Sequence, residues 1–595
     1  MILLYVLYTL DESHFASNGL VLQTNMFKYN KAYLQYNNID VHFLQEYMEI
    51  DTENKIPKTH IQSYALSNFL KEYKQIENYD NVWVYCISHG FDALFKDNFF
   101  LTHGKKIIFT DDPHAYFIKN NAWNSSNIWY VNKNNPTCLF DNILYGEKQF
   151  FLEYNNIICS PSISVFENIK YPSKEKLKLM NYCIDETFDI IINNNKKKKI
   201  LLSGAITSAY PLRKIIHNKL NVNDTIYTKY FEKLPHCGYN NNSETAIKNK
   251  KYIEKLAEYK GCLVDLPIFP LNYPVYKHLE ILQSGSLCFS LYHENLEKYL
   301  KLKMYYHYIP IFIENNEIVN LEEIIDYLES NKGDIIAKRG QQYVNEYFNS
   351  QKIVTDFINI INPTECFYQV DYTITLNMLK LGKSLVRFGD GDFLLMMDTS
   401  VATQEKNNKL KQMYIDLFTN QYENIMIAIP PLFIDYHQYH NDKPNNDEKK
   451  YYNDFYNKHK KFIDSYLNKT QIYHDACIFR SLIKLEIRKI VTVTLRKFFK
   501  NKNVIVVIGE NIYLQQQKSF NKYLEICSKY KFIFTNSINS YTLDYERVKT
   551  EIKDIIHNYD IILIMSGTLR VLACDFLNTQ VIDLGSFLHG PLFYE

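Results

Sequence analysis

Apolar runs a few residues long recur along the chain, each bounded by polar or glycine-containing stretches. MILLYVLYTL opens it, and NVWVYCIS (81–88), KIIFTDDP (106–113), SNIWYV (126–131) and NIICSPS (156–162) follow. Continuous apolar runs of this length predict strands buried on both faces, and their alternation with polar or helical stretches predicts a parallel α/β sheet. A polar run, Asn193 to Lys199, precedes a second series. It starts with strand KILLSGAI (199–206) and helix YPLRKIIHNKL (210–220), and continues with YKGCLVDLP, LCFS and YYHYIPIFI. Helical patterns in LEEIIDYLESN and in the stretch from Ile335 to Ile361 close it. Asn362-Pro363-Thr364 reads as a linker, because the residue before proline is turned away from helix. A third series carries IMIAIPP (425–431), VIVVIGENIY (504–513), FIFTNSINSYTLDYE (532–546) and IILIMSGTLRVLACDFL (561–577).

This pattern predicts an α/β protein of two Rossmann-like lobes followed by a third Rossmann-like domain. The divisions fall at residues 1–190, 191–362 and 364–595. A length of 595 residues agrees with several lobes rather than one core.

Composition narrows the classes. Formal net charge is +1, and no basic stripe or recognition motif is present, so nucleic acid is not the expected partner. The 11 cysteines form no CxxC pair or disulfide framework, which points to reduced thiols and a cytoplasmic setting, the host's cytoplasm if the chain is viral. The opening apolar run lacks a basic flank and the length of a membrane span, and no other window approaches about 20 apolar residues. No transmembrane segment is expected; peripheral membrane contact stays open. The 50 tyrosines, with heavy Asn, Lys and Ile usage, reflect AT-rich coding more than chemistry.

The most informative segment is LVRFGDGDF (385–393). A strand-like run ends in Arg387, and a turn Gly389-Asp390-Gly391-Asp392 follows. Glycines let a backbone approach a ligand, two carboxylates at a strand end can hold a hard divalent cation, and an arginine can fork onto a diphosphate. The same residues also make an ordinary Gly-Asp turn. In the second series, Ser203-Gly204-Ala205 follows a strand and precedes a helix, where backbone N–H groups can face a phosphate. Arg213 lies in the first turns of that helix, open to a diphosphate or to solvent. His89 and the loop Asp111-Asp112-Pro113-His114 offer a general base for an acceptor hydroxyl, or a capped turn.

Downstream of LVRFGDGDF, the order of Gln404, IMIAIPP, DACIFR, VIVVIGENIY, SGTLRVLACDFL and VIDLGSFLHG resembles the GT-D type of glycosyltransferase, with its RFGDGE signature. The resemblance implies a nucleotide-diphosphate-sugar donor and Mn²⁺ or Mg²⁺ held by Asp390 and Asp392. It sets Arg387, Gly389, Gly391, Arg480 and Glu510 around the donor. Asp392 stands where that family has Glu, and Ser586-Phe587 where it usually has His. Residues of about 80–360 resemble a GT-B type glycosyltransferase of the CgeB-like, glycosyl transferases group 1 kind, through KILLSGAITSAYPLRKII, YKGCLVDLPIFPLNYPVYKHLEILQSGSLCFS and FTDDPHAYF. That resemblance places Glu280 at the donor's ribose hydroxyls and favours Arg213 as a diphosphate partner, while Gly204 as a phosphate-facing turn residue and Asp112 as a catalytic base rest on the local reading above. Asn272 stands where many retaining members carry the first acid of an E-x7-E pair. Together the two resemblances imply a bifunctional enzyme that transfers sugars to a glycan or glycoprotein acceptor, with a metal-dependent C-terminal module. The alternatives are one active module beside a docking domain, and a nucleotide-binding protein without turnover.

Overall fold

A computed structural model describes residues 2–7, 30, 34, 39–43, 81–87, 105–110, 156–168, 174–184, 195–204, 206, 210–234, 249–267, 272–361, 367–420, 422–433, 448–468, 471–480, 483–536 and 538–585. The chain divides into two compact units, Met1–Pro363 and Thr364–Glu595.

The first unit holds two parallel sheets. One contains β1 (Ile2–Leu7), β2 (Asp40–Phe43), β3 (Asn81–Ile87), β4 (Lys105–Thr110), β5 (Asn156–Ser160) and β6 (Leu177–Leu179), in the order β2-β1-β3-β4-β5-β6. The expected strand at 126–131 and the loop carrying Asp112, with His89, lie outside the described residues.

The other sheet contains β7 (Lys197–Leu202), β8 (Phe231–Lys233), β9 (Tyr259–Val264), β10 (Leu287–Leu291) and β11 (Ile309–Ile311), in the order β11-β10-β9-β7-β8. Its strands are apolar because both faces are covered. Ile200, Leu202, Leu263 and Phe289 pack into one core, while Leu201, Cys262, Val264 and Cys288 pack into the opposite one. The alternation follows from side chains pointing to opposite faces at successive positions. A short antiparallel pair, β12 (Ile313–Glu314) and β13 (Glu317–Ile318), follows β11.

Helix α1 (Pro211–Asn221) follows β7 with proline in its first turn, where no N–H is needed. Helix α2 (Lys277–Gln283) precedes β10, and α3 (Asn331–Tyr347) packs across it. Gly340 permits that approach: a Cβ there would lie 2.5 Å from Leu282 Cδ2 and 2.8 Å from the His307 carbonyl oxygen.

The second unit is one eight-stranded, wholly parallel sheet. Its strands are β14 (Tyr368–Gln369), β15 (Ser384–Arg387), β16 (Ile425–Ile429), β17 (Ile472–Asp475), β18 (Asn503–Gly509), β19 (Lys529–Thr535), β20 (Ile561–Met565) and β21 (Gln580–Asp583). The order is β14-β17-β16-β15-β21-β20-β18-β19. From β15 the chain builds outward through β16 and β17, then resumes on the other side with β18, and β21 returns to lie against β15. The sheet therefore changes direction between β15 and β21, and the carboxyl ends at such a switch point leave a crevice for ligands. Beneath it, Phe388, Phe393, Tyr414, Phe418 and Tyr473 form a buried aromatic cluster.

Gly340→Ala tests the packing of α3 on α2. Alanine gains about 1 kcal/mol of helix propensity, but overpacking against a backbone carbonyl costs about 1–3 kcal/mol. The crowding prevails, so the variant is expected to unfold at lower denaturant concentration than wild type.

Candidate active site

Asp390 opens helix α4 (Asp390–Met396), which begins directly after β15 and the two-residue link Phe388-Gly389. The β15–α4 turn thus sits at the switch point. It lines a pocket of about 110 Å³ together with residues from three other segments. Arg387, Gly389, Asp390, Gly391 and Asp392 come from this turn, Ala476, Cys477 and Arg480 from the segment after β17, and Arg570 from the turn after β20. Tyr452 comes from helix α5 (Glu448–Tyr466).

Three guanidinium groups, from Arg387, Arg480 and Arg570, face this small space, and buried carboxylates hold two of them. Asp583, at the end of β21, accepts from the Arg387 backbone N–H at 3.2 Å and lies 3.2 Å from Arg570 Nε. Its other oxygen is 3.7 Å from Arg387 Nη2. Arg570 also donates to Asp392 Oδ2 at 2.7 Å and to the Arg387 carbonyl. Burial opposes the charge on Arg570, but Asp392 and Asp583 outweigh it and raise its pKa. Arg387 is pushed the other way by burial, helped by Arg570 and Arg480 and resisted by Asp583. It donates to the Ala476 carbonyl at 2.9 Å, while its Nε is buried without a hydrogen-bond partner.

The two acids of the turn differ sharply. Asp392 is buried. Its Oδ2 takes the Gly389 N–H at 2.8 Å as well as Arg570, and its Oδ1 takes the Tyr414 hydroxyl at 2.9 Å. The Gly389 contact caps α4 by satisfying a backbone donor at its start. Burial, with Asp392 beside it, raises the Tyr414 pKa. Asp390 is partly exposed and takes one hydrogen bond, 2.6 Å from the Tyr451 hydroxyl to Oδ2. That bond is the main reason the Tyr451 pKa is pushed up to about 12. Arg480 donates to Tyr452 at 2.7 Å. The adjacent tyrosines of α5 thus engage one acid and one arginine of the pocket.

A carboxylate pair held by a metal needs open oxygen positions, and Asp390 retains them. Asp392 gives its oxygens to three protein donors. Among the described residues, no group of three His, Cys, Asp or Glu side chains is arranged to hold a metal ion. A cation there would need phosphate oxygens as further ligands, as Mg²⁺ sites commonly do.

Glu510 does not line the pocket. It starts helix α6 (Glu510–Leu524) after β18, and two strands, β20 and β21, separate β18 from β15. Arg570 was the residue missed from sequence. Its signal was the SGTLR turn after an apolar strand, but only the sheet order brings that turn to LVRFGDGDF.

A second polar cluster lies in the first unit, at the carboxyl ends of β7 and β9. Gly204 has φ of +98°, and a Cβ there would lie 2.8 Å from both Arg213 Nη1 and Lys277 Nζ, so two cations converge on it. Arg213 stacks 4.0 Å from the Tyr210 ring centroid, and its backbone N–H donates to Asp265 at 3.0 Å. Lys277 donates to Ser203 Oγ at 3.3 Å, which pairs with the Tyr252 hydroxyl at 2.7 Å. Burial, with Arg213 alongside, lowers the Lys277 pKa to about 7, although Glu280 on the same helix resists. Burial raises Asp265 to about 7. The structure thus gathers Gly204 and Arg213, with Glu280 buried one helical turn from Lys277. Lys277 carries no distinguishing context in the sequence.

Gly585, two residues after β21, packs against Arg387 of the pocket. Its φ is +50°, and a Cβ there would overlap Arg387 Nη2. Gly585→Ala must therefore expel Arg387 from beside Asp583. Breaking a buried ion pair costs about 3–5 kcal/mol, and an equilibrium denaturation curve of the variant should show a loss of this order.

Residues 385–590 match the family model described as glycosyltransferase GT-D fold. No curated protein matches the chain. Among solved structures, a glycosyltransferase of domain of unknown function 1792 from Streptococcus sanguinis is 21% identical. The alignment covers 37% of this chain and 82% of that one, with a TM-score of 0.32. HepE from Anabaena, solved in complex with UDP and glucose, is 10% identical over 61% of this chain and 100% of its own, with a TM-score of 0.35. Sucrose-phosphate synthase from Thermosynechococcus elongatus is 9% identical over 61% of this chain and 99% of its own, with a TM-score of 0.37. The C-terminal unit, with the switch-point pocket inside the matched residues, is a glycosyltransferase domain of the GT-D fold.

Proposed function

We propose that the chain is a bifunctional glycosyltransferase that moves sugars from nucleotide-diphosphate donors to hydroxyls of a glycan or glycoprotein. One observation carries this reading: three guanidiniums and the carboxylate of Asp390 face one pocket within the residues that match a glycosyltransferase family. A pocket of about 110 Å³ is smaller than the roughly 300–1,000 Å³ of whole-ligand sites. It suits the diphosphate, with nucleoside and sugar extending beyond it. Arg387 and Arg480 stabilise charge on the departing diphosphate, where preorganised donors act most strongly. Mn²⁺ or Mg²⁺ at Asp390 would supply Lewis-acid neutralisation of the same charge.

In the N-terminal unit, Arg213 and Lys277 over Gly204 take the metal's place, and Glu280 serves the donor's ribose. Asp112 remains the proposed base of that unit. The scattered cysteines, with no disulfide framework, support a cytoplasmic location; separately, no helix among the described residues is long and apolar enough to cross a membrane. A second reading, in which the N-terminal unit binds an acceptor without turnover, is favoured by Asn272, which stands where the resemblance calls for an acid.

Donor hydrolysis tests both readings without a known acceptor. A panel of nucleotide sugars is incubated with and without Mn²⁺, using wild type and Asp390→Ala/Asp392→Ala. Mn²⁺-dependent release that vanishes in the double variant is the expected result. Metal-independent release that persists there belongs to the N-terminal unit, and its absence favours the second reading. No release from any donor by folded wild type would overturn the proposal.

The N-terminal cluster also predicts a pH dependence. Lys277 is cationic below its pKa of about 7 and neutral above it. Nucleotide-sugar affinity, measured in the double variant without metal, should be about tenfold weaker at pH 8 than at pH 6 if that one charge is needed. Asp265, also near 7 and bonded to the Arg213 N–H, titrates in the same window, so Lys277→Arg should reduce the dependence and Lys277→Arg/Asp265→Asn should abolish it.

A further inference from the structure

The three arginines of the pocket are not held alike. Arg480 leans on the Tyr452 hydroxyl, and Arg387 on a carbonyl and a carboxylate 3.7 Å away. Arg570 is fixed from two sides. Its Nη1 donates to Asp392 at 2.7 Å, and its Nε–H donates to the Gly567 carbonyl at 2.8 Å with the Asp583 carboxylate 3.2 Å away as charge partner. The Arg387 carbonyl takes a further bond from Nη1. Among the described residues its Nη2 group has no hydrogen-bond partner, and the residue lines the pocket. A guanidinium carries five N–H donors in a rigid fork. Pinning Nη1 and Nε fixes the plane of that fork and sets the direction of the remaining amino group.

Asp392 is the other half of this arrangement. An ionised carboxylate offers roughly four lone-pair positions. Gly389 N–H, Arg570 Nη1 and the Tyr414 hydroxyl take three of them. Turning Asp392 onto a metal would uncap α4, leave the buried Tyr414 hydroxyl without its acceptor and release Arg570 from one of its two anchors. Each of these changes would leave a buried polar group without a partner, which is strongly unfavourable. Asp390 faces no such conflict, since among the described residues its hydrogen-bond partner is one tyrosine hydroxyl.

We propose that Arg570, fixed between Asp392 and Asp583, is a donor-diphosphate contact of the C-terminal site, and that Asp392 is its positioning residue, leaving Asp390 as the turn's metal-binding acid. The inference rests on the donor-site reading above. It gives the two acids of Gly389-Asp390-Gly391-Asp392 different work: one faces the ligand, and the other builds the surface that the ligand meets.

The test separates metal from diphosphate. It uses the full chain carrying Arg213→Ala/Lys277→Ala, so that the cations of the N-terminal cluster do not contribute. UDP, GDP and dTDP are titrated by calorimetry in EDTA, and Mn²⁺ is titrated by electron paramagnetic resonance in the presence of whichever diphosphate binds. Asp390→Asn should lose Mn²⁺ affinity at least tenfold and keep its EDTA-resistant diphosphate affinity. Asp392→Asn and Arg570→Lys should behave oppositely, losing about tenfold in diphosphate affinity in EDTA with Mn²⁺ affinity within threefold of the parent. Circular dichroism checks folding, and Arg570→Lys carries the test if Asp392→Asn does not fold. Loss of Mn²⁺ affinity in Asp392→Asn equal to that in Asp390→Asn, or unchanged diphosphate affinity in Arg570→Lys, would overturn the assignment. If the parent binds none of the three diphosphates with or without Mn²⁺, the donor-site reading itself fails, and this inference falls with it.

Discussion

The C-terminal site depends on a row of buried charges in which each sign is flanked by the other: Arg387, Asp583, Arg570, Asp392. Such a row is costly to bury, and hydrophobic residues of similar volume would often serve stability as well or better. Its value here is positional. The four residues come from three different strand ends and the turns that follow them, and β15 and β21 are adjacent only because the sheet reverses its order there. Arg570 contacts both carboxylates and the Arg387 carbonyl, so it joins the β20 turn to the β15–α4 turn. Removing either acid would leave a buried guanidinium undercompensated.

The apolar framework makes that row affordable by leaving the strands no other choice of position. Ile425–Ile429 and Ile561–Met565 are buried at every residue, so neither face of the sheet can be exchanged for solvent without exposing a core. A parallel sheet with both faces covered fixes its strand ends in space, and side chains just beyond those ends inherit the precision. The aromatic cluster of Phe388, Phe393, Tyr414 and Phe418 extends this order into the turn itself. Tyr414 belongs both to that cluster and to Asp392, which links core packing to the charge row through one hydroxyl.

Strand existence was legible because buried parallel strands are written as uninterrupted apolar runs; KILL, IMIAI, VIVVIG and IILIM all fall on strands. The local turn was legible for the same kind of reason, since Arg387, Asp390 and Asp392 are neighbours in sequence and in space. Arg480 could be read as a pocket residue only through the family resemblance. Arg570 was hidden because its partners lie 178 and 183 positions away, and periodicity carries no information about which strand lies next to which. Glu510, placed near the donor only by the family resemblance, starts the helix after β18, two strands from β15 and outside the lining of the pocket. Lys277 was concealed by its ordinary place at the start of a helix, and its altered proton affinity comes from burial and from Arg213, neither of which is local.

The two polar clusters gather cations at strand ends by different chemistry. In the C-terminal pocket the cations are arginines, whose charge does not change near neutral pH and whose forked donors suit fixed carboxylate anchors. In the N-terminal cluster one cation is a lysine, a compact charge on a flexible stem whose protonation burial can shift. Lys277 is tuned to about 7 and touches a hydroxyl network of Ser203 and Tyr252 rather than a carboxylate anchor. An incoming anion would therefore help to charge Lys277 as it binds, coupling ligand uptake to a proton. The C-terminal arginines are charged beforehand, and Arg387 and Arg570 are held in place by their aspartates. One cluster is preorganised by ion pairs and the other completes its charge on contact, so a shift in pH around neutrality should act on the first unit's site and leave the charge on the second unit's arginines unchanged.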